Sequence, residues 1–248
     1  MSLDQQIDRL IKPLAEGLSD IVFYQISVFG QGFPLIVLWL VTAAVFFTGY
    51  LGFINIRGFS KAISLVSDTS GKTSGPGEIS HFQALSTAIS GTVGVGNIGG
   101  VAVAISIGGP GAAFWLFMAG FLGMSTKFVE CTLGVKYRRV NPDGSVSGGP
   151  MYYLERYLLD RGFPQLGKLL GGFYALALVI GCFGIGNMFQ SNQAYVQVLS
   201  ITGGENSFFA DKGWLFGLLL AGAVAAVIIG GIRSIASVAS KIVPFMAV

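Results

Sequence analysis

The chain has 248 residues, 52% of them apolar and only 11% charged, with a mean hydropathy of +0.70. Its net charge of +3 is small, and no basic stripe with interleaved aromatics appears, which argues against nucleic acid as a partner. One histidine and two isolated cysteines, Cys131 and Cys182, give neither a metal-ligand spacing nor a nucleophile with partners, so no enzyme and no cofactor is expected.

Residues 1–33 carry six charges, and Asp4, Asp8, Arg9, Lys12, Glu16 and Asp20 alternate with Ile7, Leu10, Ile11, Leu14 and Leu18 at a helical period. This predicts an amphipathic segment at the membrane interface rather than a cleaved signal. Apolar tracts follow at 34–56, 82–107, 111–135, 169–199 and 214–232, which predicts an all-α polytopic protein embedded in a lipid bilayer. The polar segment 57–81 ends in Ser80-His81-Phe82-Gln83, a capping box that starts a helix. His81 reads there as interfacial. The connection at 136–168 holds a turn, Asn141-Pro142-Asp143-Gly144, and a short amphipathic helix opened by Pro150. Residues 233–241 read as a last polar loop. Another apolar run begins near Ile242 and reaches only Val248, far short of the ~20 residues a spanning helix needs, so we expect the chain to be the first half of a larger protein.

Basic residues assign the sides. Eleven lie in 57–81, 136–168 and 233–241, whereas Arg9, Lys12 and Lys212 alone occupy the alternate side. The positive-inside rule then places those three connections in the cytoplasm and the N-terminus outside.

The most informative segment is 91–100, Gly-Thr-Val-Gly-Val-Gly-Asn-Ile-Gly-Gly, in a stretch without charge from Phe82 to Ile107. Five glycines in ten positions weaken a helix by up to ~1 kcal/mol each relative to alanine. Non-helical backbone at membrane depth is tolerated where it lines a cavity, and secondary transporters build substrate and ion sites from such broken helices. The expectation is therefore a transporter. Unwound carbonyls from Thr92 to Gly96, with the Asn97 amide oxygen, suit a small cation, while N–H groups near Ile98 to Gly100 suit a carboxylate. With no Asp or Glu in the tract, a cation held by neutral oxygens is more natural than a proton relay. The alternative is an ion channel or other membrane protein in which the glycines form a filter or a helix-packing face. Gly94-Val-Gly96-Asn-Ile-Gly99 also matches the dinucleotide fingerprint, but its flanks have membrane length and no acid follows at 112–122.

A second polar cluster lies in the fourth tract, where Asn187 and Gln190 share a helix face. Gln190 can contact a substrate or clasp another helix. Gln83 is divided between its cap and the site. Glu130, with Lys127 one turn earlier, reads as an ion pair within the bundle.

Phe82-Gln83-Ala84-Leu85-Ser86-Thr87-Ala88 and the glycine-rich break resemble the sodium:alanine (alanine or glycine:cation) symporter family. So do Gly108-Gly109-Pro110-Gly111-Ala112-Ala113-Phe114-Trp115, Lys127-Phe128-Val129-Glu130, Gly148-Gly149-Pro150-Met151-Tyr152-Tyr153 and Lys241-Ile242-Val243-Pro244-Phe245-Met246. Leu116-Phe117 stands where the family usually has Met-Trp. The resemblance implies a leucine-transporter-like fold. Tract 34–56 would be a leading helix, and 82–248 the first inverted repeat, cut in its fifth helix. It also implies Na⁺-coupled, or H⁺-coupled, symport of small neutral amino acids across a prokaryotic plasma membrane, with the C-terminal half of the protein as a partner. Thr92, Val93, Gly94, Ile98, Gly99 and Gln190 would then hold substrate. Val95, Gly96 and Asn97 would hold Na⁺, with Gln83 and Asn187 behind them.

Overall fold

A computed structural model describes residues 12–13, 16–28, 30–67, 79–210 and 212–246. Much of the predicted N-terminal amphipathic segment lies outside the described residues. Its described part is helical at 16–22 and then turns into a hairpin, not a longer helix. Strands β1 (Gln25–Val28) and β2 (Gln31–Pro34) pair antiparallel, Gln25 opposite Pro34 and Val28 opposite Gln31. Beside the Val28–Gln31 pair, Gly30 has φ +78°, where an L side chain would be strained. That glycine is the signal the helical period concealed.

The helices are α1 (Leu35–Tyr50), α2 (Ile54–Arg57), α3 (Phe59–Ser67), α4 (His81–Thr92), α5 (Val95–Gly108) and α6 (Pro110–Lys136). Then come α7 (Pro150–Asp160), α8 (Pro164–Phe183), α9 (Phe189–Ile201), α10 (Gly213–Ile228) and α11 (Gly231–Met246). Proline occupies the first turn of α6, α7 and α8, where its missing N–H costs nothing and its fixed φ suits the helix. The predicted box at α4 is formed: Ser80 Oγ accepts the Gln83 N–H at 3.3 Å, and Gln83 Oε1 accepts the Ser80 N–H at 3.0 Å.

Among the described residues, Pro110–Lys136 and the continuous run Pro164–Ile201 are long and apolar enough to cross a membrane. Up to five crossings result if each bent helix pair is one span, matching the five apolar tracts. The run of 38 residues is longer than one crossing needs, because ~20 residues already span the hydrocarbon core.

The contacts divide the chain into two compact units. The first comprises residues 1–58 and 115–129. Within it, the Thr48 hydroxyl donates to the Ala44 carbonyl at 2.7 Å and meets Ser125 Oγ at 2.9 Å, so polar groups clasp α1 to the middle of α6. Asn55 adds a bond from Nδ2 to the Phe121 carbonyl at 2.8 Å.

The second unit comprises residues 59–114 and 130–248. Within it, α11 packs along α4, and the buried residues there are small: Ser86 on α4, and Ala236, Ala239 and Val243 on one face of α11. Large apolar side chains point outward instead, as with Phe173 at 70% and Trp214 at 70% exposure. Small residues inside and large ones outside is the pattern of helices that pack within lipid. The stretch 233–241, expected as a loop, is helical throughout. Ile232, Ile235, Ala236, Ala239 and Val243 supply the helical period that made it so.

Strands β3 (Arg139–Val140) and β4 (Val146–Ser147) form a hairpin over the predicted turn, with Gly144 at φ +81°. The Ser145 hydroxyl and N–H both donate to Asp143, which holds that exposed carboxyl below the usual carboxylate range.

Candidate functional site

The tract 82–107 is two half-helices bent by 47°, α4 and α5, as its glycines predict. The interruption is narrower than the sequence suggests. Only Val93 and Gly94 leave the helical conformation, at φ/ψ of −89°/119° and −153°/−166°, and α5 resumes at Val95.

Two side chains hold the helix open. In an unbroken helix, the Gly94 and Val95 N–H groups would donate to the Ser90 and Gly91 carbonyls four residues back. Here Asn97 Oδ1 takes the Gly94 N–H at 3.2 Å, and Gln190 Oε1 takes the Val95 N–H at 3.4 Å. The last bond of α4 runs from the Val93 N–H to the Ile89 carbonyl at 2.8 Å. The Ser90 and Gly91 carbonyls are thereby released at the negative end of α4. At the positive end of α5, the Asn97 N–H turns back to the Gly94 carbonyl at 3.0 Å. Among the described residues, nothing accepts the Gly96 N–H.

These groups border one cavity of about 520 Å³, lined by Ser90 to Gly94, Gly96 and Asn97, with Gly186, Phe189 and Gln190 across from them. Every lining side chain is uncharged. The freed carbonyls are therefore Ser90 and Gly91 together with Thr92 and Val93, so they overlap the start of the Thr92–Gly96 stretch that the sequence suggests, whereas the Gly94 carbonyl takes the Asn97 N–H. The Thr92 hydroxyl proton is spent on the Ala88 carbonyl at 2.6 Å, which leaves its oxygen lone pairs free to accept. Gly94 serves close approach, not an unusual φ. A Cβ there would lie 2.6 Å from Gln190 Nε2. A Cβ on Gly96 would meet nothing within 4 Å.

Other expected residues stand apart from the cavity. Ile98 is 75% exposed and, like Gly99, does not line it, because the first turn of α5 has already rotated them away. Gln83 is committed to its cap. Asn187 lines a neighbouring groove of about 1000 Å³ between α9 and α10, which shares Gln190 and Gly186 with the cavity. Sequence reasoning missed Gly186 and Phe189. Residues 184–188 form a π-helix between α8 and α9, and such single-turn widenings often mark functional sites. The pattern Gly184-Ile-Gly186-Asn187 in an apolar tract was the available signal.

Residues 17–248 match the model of the sodium:alanine symporter family. The chain belongs to that family. Among curated proteins, it is 44% identical over 215 residues to the sodium/alanine symporter AgcS of Methanococcus maripaludis, covering 87% of this chain and 45% of that protein. It is 33% identical over 208 residues to the amino-acid carrier protein AlsT of Bacillus subtilis, covering 84% and 41%. A protein of the same bacterium named as a probable sodium/glutamine symporter, GlnT, matches at 33% over 214 residues, covering 86% and 41%. The chain thus spans less than half the length of these relatives. No solved structure matches it. Membership in a transporter family and the apolar helices make it a membrane protein.

Proposed function

We propose that the whole protein is a secondary transporter that couples Na⁺ entry to uptake of small neutral amino acids such as alanine or glycine, at the α4–α5 break. One observation carries this: opposite helix ends, each with unbonded backbone groups, border a single cavity with no charged side chain. Each end carries roughly half an elementary charge, negative at α4 and positive at α5. A zwitterion matches both. Its carboxylate accepts the Gly96 N–H, and the Val95 N–H once Gln190 yields, while its ammonium donates to the Ser90 and Gly91 carbonyls.

Na⁺ is a hard cation and takes oxygen ligands, for which the same carbonyls, the Thr92 hydroxyl and the second lone pair of Asn97 Oδ1 are suited. The neutral lining disfavours charged substrate side chains, since an unpaired charge in such a site costs several kcal/mol, on the order of the values for buried ions. The names of the relatives, which include alanine and glutamine, agree with the neutral class.

In this reading the fold is leucine-transporter-like, 34–56 is a leading helix, 82–248 belongs to the first inverted repeat, and a second repeat completes the site. The basic connections place 136–168 in the cytoplasm and the N-terminus outside a prokaryotic plasma membrane.

Uptake of alanine into vesicles bearing the whole protein should require an inward Na⁺ gradient. A pH gradient that drives uptake equally well without Na⁺ would overturn the coupling ion.

A further inference from the structure

The connection between α6 and α8 forms a second pocket, away from the cavity. Tyr137 at the end of α6, Arg139 on β3, and Tyr152, Glu155, Arg156 and Leu159 on α7 enclose about 50 Å³. The four α7 residues follow the i, i+3, i+4, i+7 spacing, so they present one helix face.

That face is held firmly. The buried Gly167 and Gly171 of α8 allow α7 to pack backbone to backbone: a Cβ on Gly167 would lie 2.9 Å from the Glu155 carbonyl oxygen, and one on Gly171 would lie 2.9 Å from that of Met151. This small-xxx-small contact runs antiparallel and ties α7 to the first turns of α8. Because α6 and α8 are the two long apolar helices, the pocket sits where they end, at the membrane surface.

Its chemistry is mixed in a specific way. Two guanidiniums, Arg139 and Arg156, face it, with one carboxylate, Glu155, and two phenol rings. Lys136 and Arg161 do not line it: Lys136 lies over the ring of Tyr137, one of its walls, at 5.3 Å, and Arg161 over that of Tyr157 at 5.2 Å. Among the described residues no ion pair or side-chain hydrogen bond engages Arg139, Arg156 or Glu155. A water needs roughly 10–15 Å³ of such space, so the pocket admits a group of about four or five heavy atoms, the size of a phosphate. Leu159, 51% exposed, gives the rim an apolar side toward which acyl chains can leave.

We propose that this pocket binds the headgroup of an aminophospholipid. Its phosphate sits between Arg139 and Arg156, and its primary ammonium on Glu155. Guanidinium pairs with phosphate oxygens in a fixed fork, which explains two arginines on one small pocket. The carboxylate explains why the preferred lipid carries an amine: Glu155 would repel a purely anionic headgroup, and a quaternary amine offers it no hydrogen-bond donor.

The test is lipid retention, by native mass spectrometry, of the whole protein purified from discs of mixed phosphatidylethanolamine, phosphatidylglycerol and phosphatidylcholine. Phosphatidylethanolamine should be retained over both others. Joint Arg139→Ala and Arg156→Ala should reduce its retention at least about tenfold, the loss of roughly one charge-assisted pair. Glu155→Gln should keep phospholipid bound but erase the preference for ethanolamine over glycerol. Alanine uptake, which uses other residues, serves as the check that each variant is folded. Equal retention by the double variant and the parent, an ethanolamine preference that survives Glu155→Gln, or release of the lipid by millimolar inorganic phosphate would each overturn the assignment.

Discussion

The α4–α5 and α10–α11 junctions both fall at glycines in apolar sequence, and both bend the helix axis, by 47° and 112°. Their glycines do different work. At the second junction Gly231 has φ +67°, a conformation that favours glycine, and a Cβ on Gly230 would collide with the Cβ of Ser234. The chain turns sharply there so that Ala236, Ala239 and Val243 can be buried as α11 packs along α4. At the first junction Gly94 is in an extended conformation open to any residue. What matters there is the approach of Gln190 and the side-chain oxygens that intercept two backbone N–H groups. A glycine break can serve as a site only where its released backbone groups face a cavity, as they do at the first junction. When its flanks pack, it is a corner.

The largest effect that tests this contrast is expected for Gly96→Leu. Its side chain enters the open cavity, so uptake by the whole protein should fall about 100-fold or more, equivalent to ~2.7 kcal/mol, while membrane yield and thermal stability hold. Ala236→Leu should give the opposite pattern. It overpacks a residue with no exposure, costing about 1–3 kcal/mol in a thermal-shift assay, while uptake per folded molecule stays near normal. If both variants lost stability alone, the first junction would be a corner as well.

Asn97→Ala should have a smaller effect, about 1 kcal/mol as for other lost caps, because it frees the Gly94 N–H to return to the Ser90 carbonyl. The measurable outcome is a raised half-saturating Na⁺ concentration for uptake, partly restored by Asn97→Asp, which keeps the acceptor. Reduced stability with unchanged Na⁺ dependence would confine Asn97 to capping.

Much of this was legible in the residues. Five glycines in an uncharged tract announced a break, and Ser80 and Gln83 announced where its first half begins. The extent of the break was not legible, because it depends on Gln190, 95 positions away from Val95, accepting a hydrogen bond that helix propensity cannot foresee. Residues 98–100 were expected in the site, yet once Val95 re-enters helical geometry they rotate off the cavity at ~100° per residue. The 233–241 segment is helical rather than a loop for another reason. Its serines and two cations resemble a loop, and only the small apolar residues at helical spacing among them reveal a packing face. The β1–β2 hairpin was hidden by the charged helical period that precedes it.

The most direct measurement of whether the cavity holds both amino acid and ion is thiol accessibility at its wall. Gly96→Cys would be made in the whole protein with Cys131 and Cys182, both exposed, replaced by serine. Alkylation of that thiol in membranes should be slowed by alanine together with Na⁺, and far less by either alone or by alanine with K⁺. Labelling at the same rate under all of these conditions would show that substrate and ion bind elsewhere.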